Sequence, residues 1–453
     1  MKTKLLKLLA LLFAGVMFSG CHGEEKKEII TCKPENFKEK ISSLESGGTY
    51  NVAVKGTVSN YNSFIKNVQA ALSQDKSVKI YLDLSETEGL KTFNSAASNL
   101  LGISLPASIK ELNYNSLKGK NLRYVDFPKG NQYYTVVDKN SIYNTKYKSL
   151  IAVLQTAKEL DVPEGTNSIE GFVIYYLNSL EKVSLPSTIT QIQVGNFDYC
   201  NNLTSVTGKI NTSSIYSIFE ECPNLKLVDL RGSTFKDVDS CFLGLGKVQV
   251  KLPETVERIY SSFNGLADTE ITLPKNVSCI IKSFEKTELS DIKLPENLKE
   301  LVHSFNNCSK LKTIEFGENL ELLLGGFDSC AELKSITLPA SIKRITPECM
   351  IIGKDPVKRS EWNFNIDLED KTKWFYMSEK RVYDLGVSYN VILEKPVESE
   401  ILSSPEALGN FVNNLKTAEG IKENDKIYGD SYQINGIWKN GYDIYVHGYD
   451  YYR

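Results

Sequence analysis

The sequence predicts an α/β repeat solenoid, on the evidence of one recurring motif, a second motif that precedes it, and the spacing of the copies. The first motif reads Leu-Pro-x-x-Ile-x-x-Ile, with Val or Leu in place of Ile in some copies. Its clear copies begin at Leu105, Leu185, Leu252, Leu273, Leu294 and Leu338. From Leu252 onward, with a variant copy at Phe316, successive copies begin 21, 21, 22 and 22 residues apart. Apolar residues at fixed phases of such a period are typical of coils that bury their core only by stacking on one another.

The second motif, Phe-x-x-Cys-x-x-Leu, precedes the first in several coils. It begins at Phe197, Phe219, Phe305 and Phe327. The segment between the two motifs alternates apolar and polar residues, which predicts a short strand in every coil. Weaker copies of the first motif keep its phase at Leu84, Phe127, Val162, Gly208 and Leu230. The predicted fold is therefore an array of short parallel strands.

Together the two motifs resemble the BspA-like leucine-rich repeats of bacterial surface proteins. The resemblance covers Leu82 to Ile345 and implies a leucine-rich-repeat array, which we place at residues 79–350. The interval from Phe127 to Val162 is 35 residues long. It resembles the long repeat variant of this family, in which a small hairpin extends one coil.

Both ends of the array are predicted to carry caps, because an open coil exposes its core and unpaired strand edges. Residues 29–78 form the predicted α/β N-terminal cap. Its first helix is expected over Pro34–Leu44 and its second around Phe64–Leu72, each with one apolar stripe. Residues 351–453 form a predicted small α+β C-terminal cap or module, with a helix that begins at Ser404.

The N-terminus has the order of a lipoprotein signal peptide. A positively charged start is followed by an apolar run from Leu8 to Phe18, which is too short to span a bilayer comfortably. Phe18-Ser19-Gly20-Cys21 then resembles a bacterial lipobox. We therefore expect a signal peptide at 1–20, lipidation of Cys21 and a polar tether at 21–28. The alternative is an ordinary secretory signal that is cleaved nearby.

The strands are expected to display two outward rows of side chains, because residues alternate between the two faces of a strand. At the N-terminal end of the sheet these rows are acidic and carry two tyrosines. The predicted binding residues are Tyr81, Asp83, Tyr124, Asp126, Glu159 and Asp161. The alternative is that the rows are only the solvated face of a half-buried sheet.

The C-terminal segment is rich in aromatic residues, which suggests a second candidate site. Tyr and Trp offer flat faces and hydrogen-bonding rims to a carbohydrate. The residues of this alternative site are Trp438, Tyr442, Tyr445 and Tyr449. The alternative, which we favour, is a small β cap whose aromatics form its own core, because aromatics are natural strand residues.

The cysteines at the repeat phase are Cys200, Cys222, Cys308 and Cys330. A shared phase favours small buried core residues, although a disulfide between adjacent coils stays open in an exported protein. The chain has three His residues, and we find no GxSxG, HExxH or P-loop motif. We therefore predict no enzyme, no cofactor and no metal.

The sequence thus favours a lipid-anchored binding protein of the bacterial cell envelope, at the outer membrane or the cell surface. The resemblance implies adhesion or another protein–protein interaction through the repeat sheet. The expected partner is an extracellular protein or glycan, and the membrane is contacted through the lipid anchor alone. Nucleic acid is not expected, because the net charge of −3 lacks the cationic excess that phosphate binding needs. The alternatives are a carbohydrate-binding lipoprotein and a structural envelope protein without a dedicated ligand.

Overall fold

The computed structural model describes residues 29–74, 78–267, 271–333, 336–339, 341–342 and 344–345, together with five strands between residues 366 and 443. The chain divides into two compact units, Met1–Ile142 and Tyr143–Arg453. Each unit is described separately below.

The first unit combines two helices with a parallel sheet. Its elements are β1 (Ile29–Cys32), α1 (Phe37–Ser42), β2 (Thr49–Thr57), α2 (Tyr61–Gln74), β3 (Lys79–Glu88), β4 (Leu100–Ser104), β5 (Tyr124–Asp126) and β6 (Tyr134–Val137). The sheet order is β1-β2-β3-β4-β5, and every neighbouring pair is parallel. The helical cap and the first repeat strands therefore share one sheet.

The two helices pack against each other through aromatic side chains. Phe37 of α1 and Phe64 of α2 are buried, with ring centroids 6.2 Å apart in an edge-to-face arrangement. Asn60 caps α2 by accepting the Ser63 N–H at 2.9 Å. The first helix is shorter than predicted, because a 3-10 turn occupies Pro34–Asn36 and a further turn follows Ser42.

The predicted hairpin lies at the end of the first unit, where β7 (Ser141–Asn144) follows β6. Asp138 and Lys139, with φ values of 50° and 59°, are the central residues of a turn over 137–140, in which the Asn140 N–H donates to the Val137 carbonyl at 3.2 Å. Two successive left-handed residues are the geometry that joins tightly twisted antiparallel strands.

The second unit consists almost wholly of short strands. They are β8 (Ser149–Val153), β9 (Glu159–Asp161), β10 (Ser168–Ile169), β11 (Lys182–Ser184), β12 (Gln191–Ile192), β13 (Ser205–Thr207), β14 (Ser214–Tyr216), β15 (Leu227–Asp229), β16 (Asp237–Asp239), β17 (Gln249–Lys251), β18 (Arg258–Tyr260), β19 (Cys279–Ile281), β20 (Asp291–Lys293), β21 (Glu300–Val302), β22 (Thr313–Glu315), β23 (Leu322–Leu324), β24 (Ile336–Leu338), β25 (Arg344–Ile345), β26 (Ile366–Leu368), β27 (Trp374–Ser378), β28 (Tyr389–Leu393), β29 (Tyr428–Ile434) and β30 (Ile437–Asp443).

These strands form separate parallel ladders on different sides of the coils. The front ladder has the order β9-β11-β13-β15-β17, and β20-β22 and β24-β26 are further parallel pairs. A side ladder runs β14-β16-β18-β19-β21-β23-β25 and ends in the antiparallel strands β28 and β27. Strands β8, β10 and β12 pair in parallel, and β29 and β30 form an antiparallel pair. The leucine-rich solenoid predicted from the sequence is confirmed.

The interior of the second unit contains a ladder of stacked phenylalanines. Its members are Phe197, Phe219, Phe242, Phe263, Phe284, Phe305 and Phe327, all fully buried. Neighbouring ring centroids lie 4.7 to 5.1 Å apart as far as Phe305, and 6.3 Å apart between Phe305 and Phe327. The distance of 4.7 to 5.1 Å is close to the spacing of hydrogen-bonded strands, so the coil repeat itself places each ring on the next.

Side-chain hydrogen bonds satisfy backbone groups at the corner beside this ladder. The Cys222, Cys308 and Cys330 thiols donate to the carbonyls of Phe197, Phe284 and Phe305 at 2.8, 3.0 and 3.1 Å. Ser283 Oγ accepts the N–H of Ser262 and donates to the Ile281 carbonyl. Buried polar groups require such partners.

The cysteines at the repeat phase are therefore buried core residues, as their shared phase predicted, and all four are free thiols.

Candidate functional site

The front sheet of the first unit aligns the residues that the sequence singled out. Tyr81, Gly102 and Tyr124 occupy one row, paired in register across β3, β4 and β5. The neighbouring row is Asp83, Ser104 and Asp126. Two predicted tyrosines and two predicted aspartates thus lie on β3 and β5, the two strands that flank β4.

Gly102 allows the two tyrosine rings to close over the middle strand. A Cβ atom at Gly102 would lie 2.7 Å from Cδ1 of Tyr81 and 3.2 Å from Cδ1 of Tyr124. Such distances leave no space for a side chain, so the rings flank the bare glycine backbone. Both rings therefore lie beside the backbone of the middle strand.

Hydrogen bonds orient the polar groups beside these rings. The Tyr124 hydroxyl donates to Asp126 Oδ2 at 2.9 Å, and Asp126 Oδ1 accepts the Phe127 N–H at 2.7 Å. Asp83 Oδ1 accepts the Ser85 N–H at 2.8 Å. Burial, and then the hydrogen bond to Asp126, raise the pKa of Tyr124 far above its usual range, so this phenol stays protonated. The Lys139 ammonium lies 5.4 Å from the centre of the Tyr124 ring.

The remaining two predicted residues, Glu159 and Asp161, lie on β9 in the second unit. Glu159 is in register with Lys182, and their Oε1 and Nζ atoms are 3.1 Å apart. This glutamate is the first and largest cause of the raised pKa of Lys182. Asp229, further along the front ladder, pairs with Arg231 at 2.7 Å. The front ladder of the second unit therefore carries both acidic and basic side chains, and these side chains form ion pairs with one another.

The C-terminal aromatic candidates lie only partly within the described strands. Trp438 and Tyr442 belong to β30, in register with Gln433 and Gly429 of β29. Tyr445 and Tyr449 lie outside the described residues, as does Cys21.

The sequence analysis missed a group of aromatic side chains in the second unit. Phe172, Tyr175, Tyr176 and Tyr199 are in mutual ring contact. The available signal was the 23-residue interval between Tyr176 and Tyr199, which places them one coil apart.

No group of three or more His, Cys, Asp or Glu side chains within the described ranges is arranged to hold a metal ion. None of the helices in the described part of the chain has the length and apolar character to cross a membrane.

Comparison with solved structures gives several similar chains. A leucine-rich repeat protein from Eubacterium ventriosum is 14% identical, with 70% of this chain and 80% of that chain covered and a TM-score of 0.31. The T. pallidum leucine-rich repeat protein is 21% identical, with 44% and 87% covered and a TM-score of 0.28. A leucine-rich cell surface protein from Faecalibacterium prausnitzii is 15% identical, with 53% and 96% covered and a TM-score of 0.22.

Comparison with curated proteins gives no match. The family model described as "BspA type Leucine rich repeat region (6 copies)" matches residues 87–226, 152–247 and 238–351. These segments together span more than half of the sequence. The chain belongs to the BspA-type leucine-rich-repeat family.

Proposed function

We propose that this protein is a lipid-anchored binding protein of the bacterial cell envelope that engages an extracellular protein through the front sheet of its first unit. Family membership supports an interaction role, because stacked repeats offer broad and rigid surfaces for extended partners. The charge pattern at the N-terminus, the apolar run and Cys21 support the anchor.

The observation that carries the proposal is the pair of tyrosine rings over Gly102. Tyrosines contribute a large contact area at low conformational cost, since their side chains have only two rotatable bonds. Both rings lie on strands, and the neighbouring carboxylates of Asp83 and Asp126 are held by backbone N–H groups. A partner would therefore meet a preorganised surface, which reduces the entropy lost on binding.

The binding experiment compares the wild-type chain with Tyr81→Ala and Tyr124→Phe on an array of extracellular-matrix proteins and glycans. Truncating Tyr81 should weaken binding of a matrix protein by at least about fivefold, the loss that removal of a central aromatic contact produces. Tyr124→Phe keeps the ring and removes the hydroxyl that donates to Asp126, so it isolates the polar contribution. Tyr147→Ala is the matched control, because Tyr147 is 61% exposed in the second unit.

Three outcomes of this array are decisive. Loss with Tyr81→Ala but not with Tyr147→Ala supports the front sheet as the binding surface. If glycans bind and neither Tyr81→Ala nor Tyr147→Ala weakens that binding, the binding site lies elsewhere, and the C-terminal aromatics are the first candidate. Binding to nothing on the array contradicts the proposal and favours a structural role in the envelope.

The anchor is tested separately with Cys21→Ser in cells fed a labelled fatty acid. The wild-type chain should carry the label and sediment with membranes, whereas the variant should do neither. Protease treatment of intact cells then tests surface exposure, and a fully protected chain would contradict it.

A further inference from the structure

Four aromatic side chains form a contiguous patch at one corner of the second unit. We call Phe172, Tyr175, Tyr176 and Tyr199 the aromatic corner. Tyr176 and Tyr199 stack with centroids 4.9 Å apart and an interplanar angle of 10°. Tyr175 is nearly perpendicular to both, at 4.6 and 5.8 Å, and Phe172 is perpendicular to Tyr175 at 5.4 Å. Phe172 and Tyr176 remain 38% and 46% exposed.

The position that Tyr176 and Tyr199 occupy recurs in later coils, where the fold needs no aromatic ring. Equivalent residues donate their N–H to the next coil in the same way. They are Tyr176, Tyr199, Glu221, Gly244, Gly265, Lys286 and Asn307. All seven have φ values between 50° and 72°, a region that favours glycine. Large side chains at this corner therefore contribute a surface that the solenoid itself does not require.

Two carboxylates adjoin the aromatic corner. Glu221 occupies the next rung after Tyr199, and its carboxylate lies against Gly244, where an added side chain would collide with it. The negative charge of Glu220 is the first cause of the raised pKa of Tyr199, and Glu221 raises it further. The Tyr199 N–H also donates to the Glu220 carbonyl at 2.8 Å, which places both glutamates on the coil that is hydrogen-bonded to this residue.

These two carboxylates differ from other acidic groups of the coils. Glu159, Glu257 and Glu288 each pair with a lysine of an adjacent coil, at 3.1, 2.7 and 3.1 Å. Among the described residues, neither Glu220 nor Glu221 forms an ion pair. The aromatic corner thus combines exposed rings with uncompensated negative charge.

We propose that the aromatic corner and the carboxylates of Glu220 and Glu221 form a docking site for arginine or lysine side chains of a protein partner. Ring faces are negative and attract cations, and perpendicular rings present a face and an edge to the same space. A carboxylate beside them adds a charge-assisted hydrogen-bond acceptor.

This site is independent of the front-sheet proposal, because it uses different residues of a different unit. Its test is the fluorescence anisotropy of a labelled hexa-arginine peptide added to the purified full chain, with a hexaglutamate peptide as the negative probe. The double variant Glu220→Gln/Glu221→Gln should weaken hexa-arginine binding about tenfold, through the loss of two charge-assisted contacts. Glu254→Gln/Glu296→Gln makes the same change in net charge at two exposed positions elsewhere and should leave binding within about twofold.

The contribution of the rings is tested with Tyr176→Leu/Tyr199→Leu, which keeps apolar volume and removes the π faces. Binding should weaken about threefold or more, the effect of losing an exposed cation–π contact. Circular dichroism of each variant separates loss of binding from loss of fold.

Equal loss with both double glutamate variants would overturn the proposal, because binding would then follow net charge alone. Binding of cellohexaose that depends on the two tyrosines but not on the two glutamates would overturn it in favour of a carbohydrate site. The Tyr81→Ala variant, which tests the front sheet, should still bind hexa-arginine. Failure of one proposal can therefore be distinguished from failure of the other.

Discussion

The interior corner and the front ladder of the second unit use the same coil repeat in opposite ways. At the interior corner seven successive coils place phenylalanine at one position, and the rings stack from Phe197 to Phe327. On the front ladder the outward row of the first five coils changes in every coil. It reads Glu159, Lys182, Ser205, Leu227 and Gln249. Constant positions hold the coils together, and varied positions are free to determine what the surface binds.

The largest expected effect comes from breaking the phenylalanine ladder. Phe263→Ala removes a fully buried ring that stacks on Phe242 and Phe284 at 5.0 and 5.1 Å. Such truncations cost about 3–5 kcal/mol in transfer free energy and cavity formation. Chemical denaturation followed by circular dichroism measures the loss. Phe172→Ala, at a ring that is 38% exposed, is the matched control and should cost far less. An equal loss of unfolding free energy in the two variants would show that the ladder does not contribute more to stability than an exposed ring.

A smaller effect is expected from the buried carboxyl group at the same corner. Asp198 is 3% exposed, and its Oδ1 accepts the Glu220 N–H at 2.9 Å. Burial raises the pKa of Asp198 to about 7 from an ordinary value of 3.8. Between these values the folded chain binds more protons than the unfolded chain, so stability falls as pH rises through this window.

Asp198→Asn keeps the hydrogen-bond acceptor and removes the charge. At pH 8 the variant should be more stable than the wild type, by at most about 4 kcal/mol on the basis of 1.36 kcal/mol per pKa unit. Well below pH 3.8 the advantage should vanish, because Asp198 is then neutral in the unfolded chain as well as in the folded one. Denaturation midpoints measured from pH 4 to 8 test the sign. Asp161→Asn changes the same charge at an exposed position of the front ladder, and a pH response as large as that of Asp198→Asn would contradict the role of burial.

The smallest effect is expected on the front ladder. Lys182→Ala breaks the ion pair with Glu159. The Lys182 and Glu159 side chains are 60% and 59% exposed. Solvent screening and side-chain entropy offset most of such an attraction. The denaturation midpoint should therefore change little, with or without added salt. A loss comparable to that of Phe263→Ala would remove the distinction between the two regions.

The sequence was sufficient to predict the solenoid, because the period and the apolar phases are properties of one coil repeated. The predicted outward rows, such as Tyr81 with Tyr124 and Asp83 with Asp126, follow from strand alternation combined with that period. Their use as a binding site stays a prediction, as does the lipidation of Cys21.

The aromatic corner was not predicted, because it depends on how three left-handed residues per coil turn the backbone. In one coil Ser217, Phe219 and Glu221 have φ values of 46°, 66° and 50°, and none of these three residue types signals such a conformation. The contacts of Tyr199 with Tyr175 and Tyr176 arise only when two coils are stacked. Contacts of this kind can be seen only in the three-dimensional structure, whereas the buried positions of a coil can be predicted from the spacing of the repeat.

The buried thiols have a consequence for how this molecule can be observed. Cys32, Cys200, Cys222, Cys241, Cys279, Cys308 and Cys330 are distributed from the cap to the last described coils. Burial raises the pKa of Cys279 to about 12 and that of Cys32 to about 11, which suppresses the reactive thiolate in the folded chain. All seven thiols are buried, so alkylation at each site would report when that coil opens. Mass spectrometry of partly labelled chains would resolve the order in which the solenoid unravels, with no foreign probe attached.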